Sequence, residues 1–251
     1  MIALITGATS GIGRATALLF AKNGYDVIIT GRRKERLESL STEIKNRSKV
    51  NCLSLSFDVR NQQEVIKNLE SLNETWQQVD VLVNNAGLAA GLSTIQEGLV
   101  DDWEQMIDTN IKGLLYVTRV IAPLMIKNGR GHIVNVGSVA GKEVYPNGNV
   151  YCATKHAVDA LNKAMRLDML PHGIRVTGVH PGMVETEFSI VRYKGDEERA
   201  QKVYAGLQPL TPEDVAETIV WCAMRPAHVN ITDIVLTPTA QGNATTTVRK
   251  S

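Results

Sequence analysis

Short apolar runs alternate with longer amphipathic stretches along nearly the whole chain. Ile2 to Thr6 is an apolar run closed by Gly7, and in GIGRATALLFAKNG, from Gly11 onward, Ile12, Ala15, Leu19 and Phe20 recur on one side. This predicts a strand, a tight glycine turn and a helix. The pattern repeats through strand DVIIT, helix KERLESLSTEIKNR, strand VNCLSLSF, helix NQQEVIKNLESL and strand VDVLVNN. A long helical stretch from about Val100 to Lys127 follows, then strand HIVNV, a helix carrying Tyr151, strand RVTGVH, a helix near Thr211 to Ala223 and a last strand DIVLT. Strands alternating with helices build a parallel sheet with helices on both faces. The expected architecture is therefore α/β, a doubly wound Rossmann-type sheet of about seven strands in a single domain spanning residues 1–251.

Three irregular stretches stand out, Gly87 to Gly98, Gly137 to Asn149 and Gly182 to about Leu210. Binding residues of such sheets sit on loops at the carboxyl ends of the strands. The longest stretch, about 182–210, could fold as a small lid over a pocket.

Composition narrows the function classes. With 43% hydrophobic residues among 251, the chain can bury a full core. Its 27 basic and 26 acidic side chains leave a net charge of +1, with no basic block before the short TVRKS tail. This balance argues against nucleic acid and anionic membranes as main partners. No apolar run approaches transmembrane length, and the first is too short for a signal-peptide core. Cys52, Cys152 and Cys222 are odd in number and in no metal-like spacing, which predicts three small buried hydrophobes, no bound metal and a reducing cytoplasm.

Two segments carry candidate chemistry. TGATSGIG, Thr6 to Gly13, places glycines 7, 11 and 13 between the first strand and the first helix. There the backbone can approach a pyrophosphate, and free helix N–H groups can face it. In NVYCATKHA, Tyr151 and Lys155 lie four apart and so share one helix face. A free phenol, with a pKa of about 10, is a poor acid or base at neutral pH. An ammonium about 4 Å away at an effective dielectric of about 20 is worth roughly 4 kcal/mol. That would lower the phenol by roughly three pKa units.

TGxxxGxG at Thr6 to Gly13, NNAG at Asn84 to Gly87, Asn110, GS at Gly137 and Ser138, YxxxK at Tyr151 and Lys155, and PG at Pro181 and Gly182 stand together in this order. With these motifs the chain resembles the classical short-chain dehydrogenase/reductase family. The resemblance implies that Tyr151 is the catalytic acid and base, that Lys155 lowers its pKa and binds the nicotinamide ribose, and that Ser138 holds the substrate oxygen. It implies that Asn110 keeps a water near the lysine. Cofactor contacts would come from Gly7, Thr9, Ser10, Gly11, Ile12 and Gly13 in the turn, and from Asp58 and Val59 at the adenine. Asn85, Ala86 and Gly87 would pass the adenosine ribose, with Asn84 structural. Pro181, Gly182, Val184 and Thr186 would lie at the carboxamide.

The choice between NAD and NADP rests on the end of the second strand. NAD enzymes of this fold place an acid there for the adenosine ribose. Here Gly31 is followed by Arg32 and Arg33, whose planar forks fit a 2'-phosphate. The expectation is NADP(H). The fold could also support a protein that senses NADP without turnover, yet such a sensor has no need of Ser138, Tyr151 and Lys155 together.

Substrate is harder to read, since a broad carbonyl reductase or a β-ketoacyl reductase would share the same cofactor site. TEFSIVRYKGD, LTPEDVAE and PAHVNI resemble the subgroup of NADP-dependent 3-hydroxy acid and L-serine dehydrogenases. This implies a small 3-hydroxy acid or serine-like substrate, and a homotetramer joined partly through the long helix and the Tyr151 helix. Arg192 would bind the substrate carboxylate, with Tyr145 and Phe188 shielding the pair from water.

Overall fold

The structure, a computed structural model, describes residues 1–250. Seven strands form one sheet: β1 Ile2–Ile5, β2 Asp26–Gly31, β3 Cys52–Ser56, β4 Val79–Asn84, β5 His132–Val136, β6 Arg175–Pro181 and β7 Asp233–Leu236. Their order is β3-β2-β1-β4-β5-β6-β7, and all neighbours are parallel. The order reverses beside β1, which is where a ligand crevice forms in a doubly wound sheet.

The apolar runs read as continuous because both faces are covered. Ala3, Ile5, Val27, Ile29, Val81, Val83 and Val134 face one core, under α1 Gly11–Lys22, α2 Lys34–Arg47 and α9 Pro212–Ala223. Their neighbours Leu4, Ile28, Leu82 and Ile133 face the other, under α3 Gln62–Glu70, α5 Leu114–Asn128 and α6 Asn149–Met169. Successive strand side chains point to opposite faces, so a strand sandwiched between helix layers is apolar at most positions, with buried polar exceptions such as Asn84 and Asn135.

Some helix starts carry side-chain caps and others do not. Asn61 caps α3 by accepting from the Gln63 and Glu64 amides, and Thr211 with Asp214 forms a capping box at α9. At α1 the N-cap Ser10 makes no side-chain cap. The long helix is not one uniform element either: α4 Val100–Ile107 passes through a π-helical turn, Asp108–Gly113, into α5. Asn110 lies in that turn. Within 182–210 the chain forms two short helices, α7 Phe188–Arg192 and α8 Glu197–Lys202, closed at the base by a bridge between Val184 and Leu210. Cys52, Cys152 and Cys222 are free and buried.

Candidate active site

A cleft of about 560 Å³ opens at the carboxyl ends of the strands. Every residue expected in the site lines it except Gly13 and Asn110. Gly13 lies beneath the glycine turn, where a Cβ would run into the Gly7 carbonyl and the Asn85 amide. Gly7 has φ +67°, and a Cβ there would stand 2.9 Å from Ala86 Cα. The turn therefore packs flush on the NNAG strand end, which only glycine permits. Because Ser10 leaves the α1 terminus uncapped, the first amides of that helix are open to an anion in the cleft. This cradle fits a dinucleotide pyrophosphate.

Buried amides fix the neighbouring loop. Asn84 donates to Thr118 Oγ1 at 2.9 Å and to Asn135 Oδ1 at 3.0 Å, a structural tie between β4 and β5. Asn85 Nδ2 donates to the Thr6 carbonyl at 2.8 Å, while Thr6 Oγ1 accepts from the Asn85 and Ala86 amides, both at 3.0 Å. Val59 meets Gly113, and Asp58 accepts from Arg60 Nη2 at 2.7 Å. Hydrogen bonds from Arg60 hold the Asp58 carboxyl below the usual range, outweighing burial, which acts the other way.

Ser138 follows β5, and its Oγ accepts from the Ala140 amide at 3.1 Å. Tyr151 and Lys155 are both buried on α6, and Lys155 Nζ donates to the Val136 carbonyl at 3.0 Å. Burial lowers the ammonium pKa to about 8. The expected depression of Tyr151 by Lys155 is not found. Burial pushes the phenol above its ordinary value and Tyr145 adds to this, while the Ser138 hydroxyl and the Arg192 guanidinium act the other way. Sequence spacing anticipated a shared face but not the cost of burying a phenolate.

Asn110 is held by three buried hydrogen bonds. Its Oδ1 accepts from the Leu88 amide at 2.9 Å, and its Nδ2 donates to the Leu88 carbonyl at 2.9 Å and Thr154 Oγ1 at 3.0 Å. The amide clamps the loop after NNAG to α6, and both its N–H groups are used. The π turn carries this side chain to Leu88, behind the cleft wall.

Arg192 sits beside the tyrosines, its Cζ 5.4 Å from the Tyr145 ring centroid and 5.6 Å from that of Tyr151. Its Nε makes a long bond of 3.4 Å to the Gly91 carbonyl, and its Nη2 is buried with no hydrogen-bond partner. Phe188 meets Tyr151 edge-on at 5.7 Å. At the other end of the cleft Arg33 donates to Thr9 Oγ1 and Ser10 Oγ, both at 2.8 Å, and to Glu187 Oε2 at 2.9 Å. Arg36 also binds Glu187, at 2.6 and 2.9 Å. Arg32 is more exposed, 3.9 Å from Asp58.

Thr186 Oγ1 accepts from the Phe188 amide at 3.1 Å. Residues the sequence did not flag complete the walls: Tyr204 donates to the Val184 carbonyl at 2.9 Å. Buried Gln241 accepts from the Met183 amide at 2.8 Å and packs against Gly182, next to Pro181 at the end of β6. No local motif marks Gln241. Asp159, His180 and Asp233 form a cluster of metal-ligating types, but Lys142 Nζ already lies 2.8 Å from Asp159 and 2.7 Å from Asp233. The chain supplies its own cation there.

Known proteins share this arrangement. The chain matches the short chain dehydrogenase model over residues 1–197. It is 48% identical over 252 residues to NADP-dependent 3-hydroxy acid dehydrogenase YdfG of Salmonella typhi, covering 100% of both. To sulfoacetaldehyde reductase 2 of Chromohalobacter salexigens it is 47% identical over 241 residues, covering 96% of this chain and 95% of that protein. The solved closed form of serine dehydrogenase complexed with NADP+ superposes with a TM-score of 0.94 at 45% identity, over 100% of both chains. Sheet order, glycine turn and the Ser138, Tyr151 and Lys155 cluster agree with these likenesses, and the chain belongs to the short chain dehydrogenase family.

Proposed function

We propose that this protein is an NADP(H)-dependent oxidoreductase interconverting the alcohol and carbonyl forms of a small acid, such as a 3-hydroxy acid or a serine-like compound. The observation that carries the substrate reading is the buried, unpartnered Nη2 of Arg192 beside the Tyr151 ring. A buried guanidinium N–H without an acceptor is costly, and a carboxylate would supply one with a charge-assisted bond. The relatives named for 3-hydroxy acids, serine and sulfoacetaldehyde all act on compounds whose chemistry includes an acidic group.

NADP(H) fits the adenosine end better than NAD(H). A Cβ at Gly31 would meet Thr9 Cγ2 at 2.6 Å, so no acid can stand at the end of β2 without moving Thr9, and the next two residues are Arg32 and Arg33. When bound, the nicotinamide cofactor supplies or accepts a hydride at the reacting carbon. Tyr151 gives its proton to the carbonyl oxygen during reduction and takes one from the alcohol during oxidation. Ser138, held by the Ala140 amide, can donate to or accept from the same oxygen in either direction. Lys155, anchored on Val136, orients the ribose. Asn110 is a positioning residue through Leu88 and Thr154.

Residues 182–210 act as the lid, with Phe188 and Tyr145 keeping water from Arg192. We further infer a cytoplasmic homotetramer. Leu99, Val100, Ile107 and Leu115 on and before α4 and α5 are exposed apolar side chains, and the cysteines are buried and reduced. Light scattering after size exclusion tests the assembly, where a monomer would count against it.

The deciding assay follows NADP-linked oxidation of 3-hydroxypropionate, serine and their methyl esters. Esters are expected to be poor substrates, and Arg192→Met to cost the acids about 2–3 kcal/mol in kcat/KM, the scale of a charged hydrogen bond, while uncharged aldehydes are spared. Equal activity on acids and esters would point to a general carbonyl reductase. Catalytic efficiency with the two cofactors checks the NADP assignment, which a preference for NADH would overturn.

A further inference from the structure

Glu187 lies 154 positions from Arg33 in sequence, yet its carboxylate sits against two arginines at the adenosine end of the cleft. It accepts from Arg33 Nη1 at 2.9 Å and takes both of its Arg36 contacts from a single nitrogen, at 2.6 and 2.9 Å. The opposite edge of Arg33 is tied to Thr9 and Ser10 in the glycine turn. Arg33 is one of the two arginines that follow β2, where a 2'-phosphate of the cofactor would lie, and Arg36 stands in the first turn of α2. Glu187 itself immediately precedes α7, so the contact joins the segment that carries Arg192 to the cofactor-binding turn.

We propose that Glu187 is a cofactor-discriminating residue that acts from the lid, its carboxylate occupying Arg33 and Arg36 as a phosphate monoester would, so that a 2'-phosphorylated dinucleotide must displace it. The proposal rests on the NADP(H) reading above and adds a competitor inside the same site. Charge balance favours displacement. Arg33, Arg36 and Glu187 sum to one positive charge, Arg32 being set against Asp58 at 3.9 Å, and a phosphate monoester brings roughly −1.5 to −2. With Glu187 in place the group would become negative; without it the arginines and phosphate nearly cancel. The side chains of Arg33, Arg36 and Glu187 are 41%, 47% and 41% exposed, so the existing ion pairs are weak enough to yield. A cofactor lacking the 2'-phosphate has no reason to break them.

Equilibrium binding of NADPH and NADH, followed by cofactor fluorescence, tests this with wild type and Glu187→Gln. The variant should bind NADPH roughly three- to ten-fold tighter, the range expected when one or two exposed ion pairs no longer have to be broken, with NADH affinity unchanged. Titration calorimetry with adenosine 2',5'-bisphosphate and 5'-AMP repeats the comparison without the nicotinamide half, and only the bisphosphate should gain. An unchanged NADPH affinity, a weaker NADPH complex, or equal tightening of both cofactors would each overturn the proposal. The first two would make Glu187 a support for the arginines, and the third would make it a lid contact alone. A wild type that prefers NADH would instead remove the NADP(H) reading itself, whatever Glu187→Gln does.

Discussion

The floor of the cleft and the segment above it are held by opposite kinds of bond. Beneath the site, Asn84, Asn85 and Asn110 are joined to their partners by hydrogen bonds of 2.8 to 3.0 Å between neutral groups that are largely buried. Above it, residues 187–194 are tied down chiefly by ion pairs, Glu187 to Arg33 and Arg36 and Lys194 to Asp102, whose side chains are mostly half exposed. A buried polar group without its partner costs the full desolvation penalty, whereas an exposed ion pair is worth little and is exchanged readily for water or another ion. Geometry that must not vary is thus fixed by buried amides, and contacts that must open and close are left to surface charge.

The sharpest break in this contrast is at the reacting group. Tyr151→Phe leaves the ring contacts with Phe188 and Arg192 possible and removes only the hydroxyl. Turnover should fall by about 10³–10⁴-fold, the upper range for loss of a general acid, while the dissociation constant for NADPH stays within about two-fold, as measured by fluorescence titration. Surviving turnover would remove Tyr151 from the proton transfer.

Lys155 sharpens the comparison because the floor holds a charge at a cost. Its pKa falls from 10.5 to about 8 through burial. Below pH 8 the folded protein must bury the ammonium; between about pH 8 and 10.5 the unfolded chain binds the proton and the folded chain does not. Stability attributable to this group therefore rises with pH across that window. Lys155→Met should gain up to about 3 kcal/mol at pH 7, less what the Val136 bond contributes, and the gain should shrink toward pH 10.5 while turnover is lost throughout. Denaturant unfolding at a series of pH values measures it, and a Lys155→Met protein less stable than wild type at pH 7 would show that the Val136 bond outweighs burial.

Much of this was legible in the sequence, for physical reasons. The five buried strands β1, β2, β4, β5 and β6 need mostly apolar runs, and the glycine turn, Ser138, Tyr151 and Lys155 are short-range patterns whose spacing fixes their geometry. What was not legible depends on long-range approach. The π turn ties Asn110 to Leu88, Arg192 rather than Lys155 is the cation acting on Tyr151, and Glu187 reaches Arg33 across 154 positions. Gly13 read as a cofactor contact because the motif treats its glycines alike, whereas its missing Cβ serves the packing of Gly7 on Asn85.

Asn110→Ala is the next smaller break. Three buried hydrogen bonds would lose their common partner, leaving the Leu88 amide and carbonyl unpaired. A loss of about 2–3 kcal/mol is expected, corresponding to a fall in Tm of roughly 5–10 °C for a chain of this size. Turnover should fall more than NADPH affinity does, because the clamp positions the loop beside Lys155, and a Gly87 Cβ would stand only 3.2 Å from Asn110 Oδ1 and 3.5 Å from Lys155 Nζ. A Tm within about a degree of wild type would show that water replaces the clamp without strain.

The smallest effect belongs to the far end of the lid, where two opposing terms meet at Lys194. Its ammonium is 3.0 Å from Asp102 and its side chain 55% exposed, so the ion pair contributes no more than about 1 kcal/mol. Its backbone has φ +55°, in the left-handed region that disfavours a residue with a Cβ by roughly 1–2 kcal/mol. Lys194→Ala removes the ion pair and keeps the strain, so Tm should fall by about 1–3 °C. Lys194→Gly removes both, and although glycine gives the unfolded chain more freedom, it should be at least as stable as the alanine variant. Both should speed hydrogen exchange of the amides in 188–194 several-fold while leaving those of α6 unchanged, because local opening there no longer breaks the tie to α4. If alanine proved more stable than glycine, the left-handed turn would not be strained and the ion pair alone would hold this end of the lid.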